Sequence, residues 1–358
     1  MAEDGKPLRV LVEVVHPADV LFFLHPIRHL RSAGHDVRIA SRDKDVTLDL
    51  LRELELSSRC LSRAGKGLPG LALELVLRDL ALLRFAREFR PDVMCGFGGV
   101  ALSHVGRLLG IPAIGFYDTD RAVLQQRLTL PFIGWQYVPE VYDGPIAKGR
   151  TTRFTGVKEL SYLHPDNFQA DRRRAEAVGL DPRARNFLVR VVSWNANHDV
   201  GARGWGSEKL CAVVEHLAAR GRVHLSAEGE LPAALEALRY RGGTTDFHHL
   251  LAHCDLYVGE SATIATEAFV LGVPAIYGVD DRRSYIDALA RAGLLVNVTA
   301  AESGPLVAAI DACLAGDPDA WRRRRERWLQ AHGNLAPYIV EAILQHGYRR
   351  GLPDAVAA

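Results

Sequence analysis

The stretch DLYVGESATIATEAFVLGVPAIY, residues 255–277, decides the fold. It opens on a short apolar run of the kind that forms a buried strand, and a glycine closes that run. Small and apolar residues at helical spacing follow, until Gly272 and Pro274 end the predicted helix. Residues 275–277 are the next predicted strand. The order strand, tight turn, helix, strand indicates one repeat of a parallel α/β sheet.

The turn after the first of these strands has the features of an anion site. In a parallel sheet, Ser261 and Thr263 would lie at the carboxyl edge, on the N–H groups that begin a helix. Glu267 follows one turn later on the same face, where its carboxylate could reach a sugar hydroxyl. The alternative is a helix that Ser261 merely caps, with Glu267 in solvent. This motif alone leaves both interpretations open.

Composition excludes several classes of protein. The chain has 358 residues, of which 48% are hydrophobic and 24% charged, and this length suits two domains better than one. A formal net charge of +1 argues against nucleic acid as a partner. The five cysteines have no C-x-x-C spacing, so neither a zinc site nor a disulfide framework is indicated. Buried thiols in a reducing compartment, and hence a cytoplasmic location, are expected.

No stretch of the sequence resembles a secretory signal or a transmembrane helix. Such a helix needs about eighteen or more apolar residues without charges. Residues 68–83 are the richest apolar stretch, but Glu74, Arg78 and Asp79 interrupt it. Peripheral contact with a membrane through this helix is one interpretation. A stripe that faces the core is the interpretation that we favour here.

Strands and helices alternate along the chain in two series. The first runs from residue 8 to a last strand at 135–138, and the second restarts at the β-prone run 187–192. Such alternation predicts doubly wound parallel sheets. We therefore expect one Rossmann-like domain at 1–157, a second at 158–318, and C-terminal helices at 319–358 that cross back to the first domain.

Ligands of open α/β sheets bind at the carboxyl ends of the strands, so the residues that follow the strands are the candidates. The candidates for binding a nucleotide in the second half are Ser193, Trp194, Glu228, Gly229, Glu260, Ser261, Ala262, Thr263 and Glu267. The candidates for acceptor binding in the first half are Asp19, Gly98, Thr119 and Arg127.

Two residues of the first half are candidates for catalysis. His16 directly follows the first strand, and an imidazole suits removal of a hydroxyl proton. Asp118 begins the pattern Asp118-Thr119-Asp120, in which it would orient the substrate. The same D-x-D pattern can hold a divalent metal on a diphosphate, and an N-cap role competes equally with that reading.

Two further alternatives are weaker. Ser261 is not in a G-x-S-x-G motif, so it is not predicted to be a hydrolase nucleophile. His248, His249, His253 and Cys254 would bring at most two or three ligands together from one helix, so a structural role is preferred over a metal site.

Six blocks of the sequence resemble the DUF354 family of prokaryotic proteins. They are HPADVLFFLHPI (16–27), YDTDRAVLQQRLTLP (117–131), VKELSYLHP (157–165), VVSWNANHD (191–199), SAEGELP (226–232) and GESATIATEAFVLGVPAI (259–276). The family is similar to glycosyltransferases of the GT-B fold and to non-hydrolysing UDP-N-acetylglucosamine 2-epimerases. The resemblance implies two Rossmann-like domains that face each other across a cleft. It also implies that the C-terminal domain holds the nucleotide sugar, without a metal.

The sequence departs from the family pattern at two positions. Arg121 stands where the family has a histidine, and Asn195 stands where it has an acidic residue after Ser-Trp. Our leading hypothesis is a metal-independent glycosyltransferase with a UDP-linked or similar donor and an unknown acceptor. A nucleotide-sugar 2-epimerase and a non-catalytic nucleotide-sugar-binding protein are the alternatives. The oligomeric state is left open.

Overall fold

The computed structural model describes residues 6–65, 67–192 and 204–349. Contacts divide the chain into two compact units, Met1–Tyr162 with Asn334–Ala358, and Leu163–Gly333. Each unit is built on its own parallel sheet. The predicted fold class, α/β with two parallel-sheet domains, is confirmed.

The first unit contains a seven-stranded sheet in the order β3-β2-β1-β4-β5-β6-β7. Its strands are β1 (Arg9–Val14), β2 (Asp36–Asp43), β3 (Arg59–Arg63), β4 (Val93–Phe97), β5 (Ala113–Phe116), β6 (Trp135–Pro139) and β7 (Thr151–Phe154). Its helices up to the last strand are α1 (Pro17–Ser32), α2 (Thr47–Glu53), α3 (Gly67–Phe89), α4 (Val100–Leu109) and α5 (Val123–Thr129). The central strands are apolar and buried, as expected where helices cover both faces of a parallel sheet.

The second unit contains a five-stranded sheet in the order β12-β11-β10-β8-β9. Its strands are β8 (Asn186–Val191), β9 (Arg222–Ala227), β10 (Leu256–Gly259), β11 (Ala275–Tyr277) and β12 (Val296–Asn297). Its helices are α6 (Arg172–Ala177), α7 (Ser207–Ala218), α8 (Phe247–Leu251), α9 (Ala262–Leu271), α10 (Ser284–Arg291), α11 (Ser303–Ala315) and α12 (Pro318–His332). A last helix, α13 (Leu335–Arg349), belongs to the first unit.

The strand–helix–strand repeat at residues 255–277 forms as the sequence predicts. The Ser261 side chain caps α9, and Gly272 ends that helix with a φ of 91°, which a residue with a side chain rarely adopts. Gly259 pairs with Arg190 of β8, and a Cβ at position 259 would lie 2.5 Å from the Arg190 carbonyl oxygen. Glycine is therefore required at this strand end.

The structure corrects the sequence reading of the first sheet. Residues 135–138 were expected to be its last strand, but β7 adds a further parallel strand, paired from Gln136 to Pro139 of β6. The sequence of β7, TTRF, has a single apolar residue, so hydrophobic patterning does not mark it. Pairing with a buried neighbour, rather than its own composition, makes this segment a strand.

The domain limits differ from the expected boundary at 157/158, and the C-terminal helices of residues 319–358 do not all belong to one unit. The 3₁₀ helix Lys158–Ser161 stays with the first unit, because the Ser161 hydroxyl bonds to the Phe22 carbonyl of α1. Helix α12 stays with the second unit, because Trp328 packs edge-on against Phe269 of α9 at 5.0 Å. Only α13 joins the first unit, where the Tyr137 hydroxyl lies 3.0 Å from Nε2 of His346.

The prediction of which side of helix α3 is buried is also corrected. Its apolar residues are expected to face the core, and Leu82 and Phe85 do so, but Leu73, Val76 and Leu77 are more than half exposed. The polar residues Glu74 and Arg78 are buried instead. Within the described residues, no helix is long and apolar enough to cross a bilayer.

Candidate functional site

A partly buried cation lies at the carboxyl edge of the second sheet. The guanidinium of Arg190, in β8, donates to the Ser226 hydroxyl at 2.7 Å and to the Glu228 carboxylate at 2.5 Å. Its Nε is buried and donates no hydrogen bond within the described part of the chain. An anion would therefore reach this guanidinium through the terminal nitrogens that now bond to Ser226 and Glu228.

The N-terminus of α9 shares this edge with Arg190. The Ser261 hydroxyl accepts the Ile264 N–H at 3.3 Å, and the Tyr257 hydroxyl donates to the Ser261 carbonyl at 3.1 Å. Burial raises the pKa of Tyr257 well above its ordinary value, and the nearby charge of Arg190 opposes that shift. The guanidinium, which pairs with Glu228, and the helix N-terminus therefore supply hydrogen-bond donors at the same edge of the sheet.

Glu260 has a structural role that the sequence did not reveal. Its two carboxylate oxygens accept the backbone N–H of Trp205 at 2.5 Å and of Val192 at 3.0 Å. The side chain is buried and joins the end of β8 to the segment that precedes α7. Direct contact between Glu260 and a ligand stays a prediction.

Glu267 lies inside the second unit rather than on its surface. Its carboxylate is 3.1 Å from Nε2 of His248, and 3% of its side chain is exposed. His249, the next residue, accepts the Asp171 N–H at 2.9 Å. The Glu267 carboxylate thus faces His248, and its contact with a ribose hydroxyl stays a prediction.

The other predicted nucleotide-binding residues have varied surroundings. Ala262 is buried in the first turn of α9, and Thr263 beside it is partly exposed. Gly229 is exposed, and its carbonyl accepts from Arg239. Ser193 and Trp194 lie outside the described residues, as does Asn195, one of the two departures from the family pattern.

His16 is the N-cap of α1. Its Nδ1 accepts the Ala18 N–H at 3.2 Å, while the Asp19 carboxylate accepts the His16 N–H at 3.0 Å. The reciprocal bonds form a capping box. Because Nδ1 is an acceptor, the neutral ring carries its proton on Nε2, so a base role requires His16 to release the cap.

Asp19 is buried at the same helix start. Its Oδ2 also accepts the Val15 N–H at 2.9 Å, but burial dominates and raises the pKa of Asp19 to about 7. In the folded state this carboxyl group is therefore mainly protonated below about pH 7.

We expect Asp19→Asn to change how stability depends on pH. Because the pKa of Asp19 is higher in the folded state than in the unfolded state, this group stabilises the fold most at pH values below the unfolded pKa. That stabilisation is lost as the pH rises through about 7. The variant lacks this loss, so its stability relative to the wild type should rise by roughly 2 kcal/mol from pH 5 to pH 8. Urea unfolding of both proteins at the two pH values measures the difference. A pH-independent difference would contradict a raised Asp19 pKa.

Asp118 is part of a buried ion pair. Its carboxylate accepts from Lys158 Nζ at 2.6 Å and from the Thr119 hydroxyl at 3.2 Å. Lys158 Nζ also lies 3.4 Å from the Glu159 carboxylate. The charge of the Asp118 carboxylate is therefore compensated by a buried ammonium group of the same unit.

The remaining acceptor candidates lie on and before α5. Gly98, with a φ of 80°, lines a small cavity with Tyr117 and Gln125. Thr119 is placed by its bond to Asp118, and its carbonyl accepts from Gln126 at 2.9 Å. Arg127 is exposed on α5. The cavity supports a lining role for Gly98, whereas Arg127 faces solvent.

Sequence reasoning missed a cluster of buried charges at the edge of the first sheet. Arg42 bonds to Glu74 at 2.6 Å, and Arg78 lies 3.7 Å from Glu74 and 3.9 Å from Glu13. Burial raises the pKa of Glu13, against the lowering effect of Arg78. Glu13 interrupts an apolar strand, and such a charge in a buried strand is the signal that marks both this cluster and Arg190.

Comparison with known proteins identifies the family to which the chain belongs. A family model described as "Protein of unknown function (DUF354)" matches residues 8–289. The chain belongs to the DUF354 family. This DUF354 protein is also 25% identical over 283 residues to a GDP-mannose-dependent alpha-mannosyltransferase of Mycobacterium tuberculosis, a match that covers 70% of this chain and 72% of the relative.

Solved structures with low sequence identity share the fold of the DUF354 protein. The UDP-GlcNAc 2-epimerase of Neisseria meningitidis bound to UDP-GlcNAc has a TM-score of 0.67 at 14% identity, with 94% of this chain and 100% of that chain covered. The glycosyltransferase SnogD of Streptomyces nogalater has a TM-score of 0.62 at 16% identity, with 95% and 100% covered. The fold is therefore that of GT-B glycosyltransferases and related epimerases.

Proposed function

We propose that this DUF354 protein is a glycosyltransferase that takes a sugar from a nucleotide-diphosphate sugar, with UDP-linked donors as the first candidates. The observation that carries the proposal is the placement of Arg190 beside the N-terminus of α9 at one sheet edge. The fold shared with glycosyltransferases and a UDP-GlcNAc 2-epimerase supports it. The mannosyltransferase relative makes GDP-linked donors the second candidates.

The proposed diphosphate site uses the protein's own positive groups. Arg190 and the first N–H groups of α9 would bind the phosphates, with Ser261 and Thr263 beside them. When the sugar departs, negative charge develops on the diphosphate, and these fixed donors are placed to stabilise it. This arrangement needs no metal, so we propose metal-independent transfer. Glu228 would release Arg190 so that the guanidinium can bind the ligand, or would itself accept a hydrogen bond from a sugar hydroxyl.

The acceptor side of the proposal rests on the first unit. His16 would deprotonate an acceptor hydroxyl through the ring nitrogen that now caps α1. Asp118, which Lys158 holds in place, would orient the acceptor. Gly98 would line the space for the acceptor. The identity of the acceptor follows from none of these contacts.

His16→Asn separates catalysis from capping. Asparagine is a good N-cap but cannot accept a proton as imidazole does, so the fold of α1 should persist. We expect the rate of transfer to fall by about 100-fold or more, with an unchanged melting temperature and unchanged nucleotide affinity. The assay follows nucleoside diphosphate release from UDP-GlcNAc, UDP-glucose and GDP-mannose, with and without metabolite and lipid extracts as acceptor sources.

Analysis of the sugar that stays linked to the nucleotide, in incubations without acceptor, distinguishes the alternatives. A 2-epimerase, favoured by the shared fold with the N. meningitidis enzyme, would convert UDP-GlcNAc to an epimer without any acceptor. A binding-only protein would bind the nucleotide sugar and leave it unchanged. Transfer at the wild-type rate by His16→Asn would show that another residue is the base.

A further inference from the structure

An exposed apolar face covers three neighbouring helices of the first unit. Its residues are Leu73, Val76, Leu77 and Leu80 of α3, Leu108 of α4, Leu124 and Leu128 of α5, and Phe132 just beyond α5. Residues of α3 at this spacing lie on one side of a helix. The exposed fraction is 62% for Leu73 and 66% for Leu108. A contiguous apolar surface of this kind marks an interaction site rather than ordinary surface.

His104 of α4 holds the three parts of this face together. Its Nδ1 is 2.7 Å from the Asp79 carboxylate of α3, and its Nε2 is 3.0 Å from the Leu128 carbonyl of α5. Its ring packs edge-on against Phe132 at 5.0 Å. Leu108 lies one helical turn from His104 on the same side of α4. The apolar face is therefore one surface and not three separate patches.

Positive charge surrounds the apolar face. The basic rim consists of Arg84 and Arg87 of α3, Arg107 of α4, Arg121 before α5 and Arg127 of α5, all exposed. None of these five guanidinium groups pairs with a carboxylate of the described residues. Arg52, Arg59 and Arg63, elsewhere on this unit, each lie within 3.2 Å of a carboxylate.

Acidic side chains do not balance this rim. Helices α4 and α5 contain no aspartate or glutamate, and α3 contains three. Of those three, Glu74 is buried, Asp79 bonds to His104, and Glu88 pairs with Arg59 at 2.8 Å. The face thus combines exposed leucines with uncompensated arginines, the composition of segments that lie in the interface of an anionic membrane.

We propose that the apolar face docks on the surface of an anionic phospholipid bilayer. The leucines and Phe132 would enter the boundary between headgroups and acyl chains, and the rim arginines would contact lipid phosphates. A symmetric dimer through the same face would oppose the rims of two copies, and like charges disfavour that contact. The proposal does not depend on the proposed enzymatic function.

Vesicle sedimentation with the full chain tests the proposal. Vesicles of phosphatidylcholine alone are compared with vesicles that contain roughly one third phosphatidylglycerol. We expect the wild type to bind the anionic vesicles at least about tenfold more tightly, and salt to release it. Leu73→Ser with Leu77→Ser should weaken binding by about tenfold or more. Arg84→Glu with Arg87→Glu should reduce it to the level of neutral vesicles.

Matched substitutions and a second measurement keep the test decisive. Val46→Ser with Tyr348→Ser changes two other exposed apolar residues, 42% and 39% exposed, and should leave vesicle binding unchanged. Melting temperatures check that all variants fold. Absence of binding to anionic vesicles at millimolar lipid would overturn the proposal. So would a wild-type dimer in sedimentation velocity that Leu73→Ser with Leu77→Ser dissociates, since the face would then bind a second copy.

Discussion

Lys158→Met should destabilise the first unit by about 3 kcal/mol or more. The Lys158 ammonium lies between the buried carboxylates of Asp118 and Glu159, at 2.6 and 3.4 Å. Removing one partner of a buried ion pair leaves an uncompensated charge in a poorly solvated place, and here two carboxylates would lose their cation. Urea unfolding followed by circular dichroism measures the loss as a change in midpoint at constant slope.

Asp118→Asn, at the carboxylate partner of Lys158, should lower the free energy of unfolding by less than Lys158→Met does. Asp118→Asn leaves Lys158 beside Glu159, so the ammonium keeps one counter-charge. Equal penalties for the two variants, or a loss below about 1 kcal/mol for Lys158→Met, would show that the pair is effectively solvated.

Glu260→Gln should destabilise the second unit by about 2 kcal/mol. Both carboxylate oxygens accept buried backbone N–H groups, from Trp205 and Val192. A glutamine offers one acceptor oxygen and places an NH₂ group against the other N–H, so one buried donor loses its partner. Relief of carboxylate burial offsets part of this cost.

The control for Glu260→Gln is Glu228→Gln, at a carboxylate of the same sheet edge with 43% of its side chain exposed. Its effect on stability should be within about 0.5 kcal/mol of zero. Thermal and urea unfolding of both variants provide the comparison. A Glu260→Gln variant as stable as Glu228→Gln would remove the structural role assigned to Glu260.

The sequence predicts the fold well where local signals agree. At residues 255–277, an apolar strand, a capping serine, a C-terminal glycine and a proline all point to the same structure, and Ser261 and Gly272 take the predicted cap positions. β7 escapes prediction because its polar sequence becomes a strand only through pairing with β6. Such pairing depends on contacts that no local pattern contains.

Helix α3 shows why periodicity does not choose the buried face. Apolar residues at helical spacing predict a stripe, and the natural expectation is that it faces the core. In the N-terminal half of α3 the side that carries Glu74 and Arg78 is buried instead, because these two residues pair with Arg42 of β2 and Glu13 of β1. The polar side can be inside only if those partners exist, and they are distant in sequence.

The candidate site was predictable in its location more than in its residues. The carboxyl edge of the second sheet follows from strand order alone, and Ser261 follows from its turn. Arg190 was missed although it is a charge inside a buried strand. Lys158 could not be paired with Asp118 from sequence, because the two residues are 40 positions apart and meet only in the folded unit.

Calorimetric titration with nucleoside diphosphates tests the central claim, a diphosphate site at Arg190 and the α9 N-terminus. We predict that UDP or GDP binds the wild type with micromolar affinity. Arg190→Met should weaken that binding at least about tenfold, equivalent to ~1.4 kcal/mol. Arg183→Met, at an exposed arginine of the same unit, should not change it. No heat from any nucleoside diphosphate at millimolar concentration, or equal affinity for Arg190→Met and the wild type, would contradict the account.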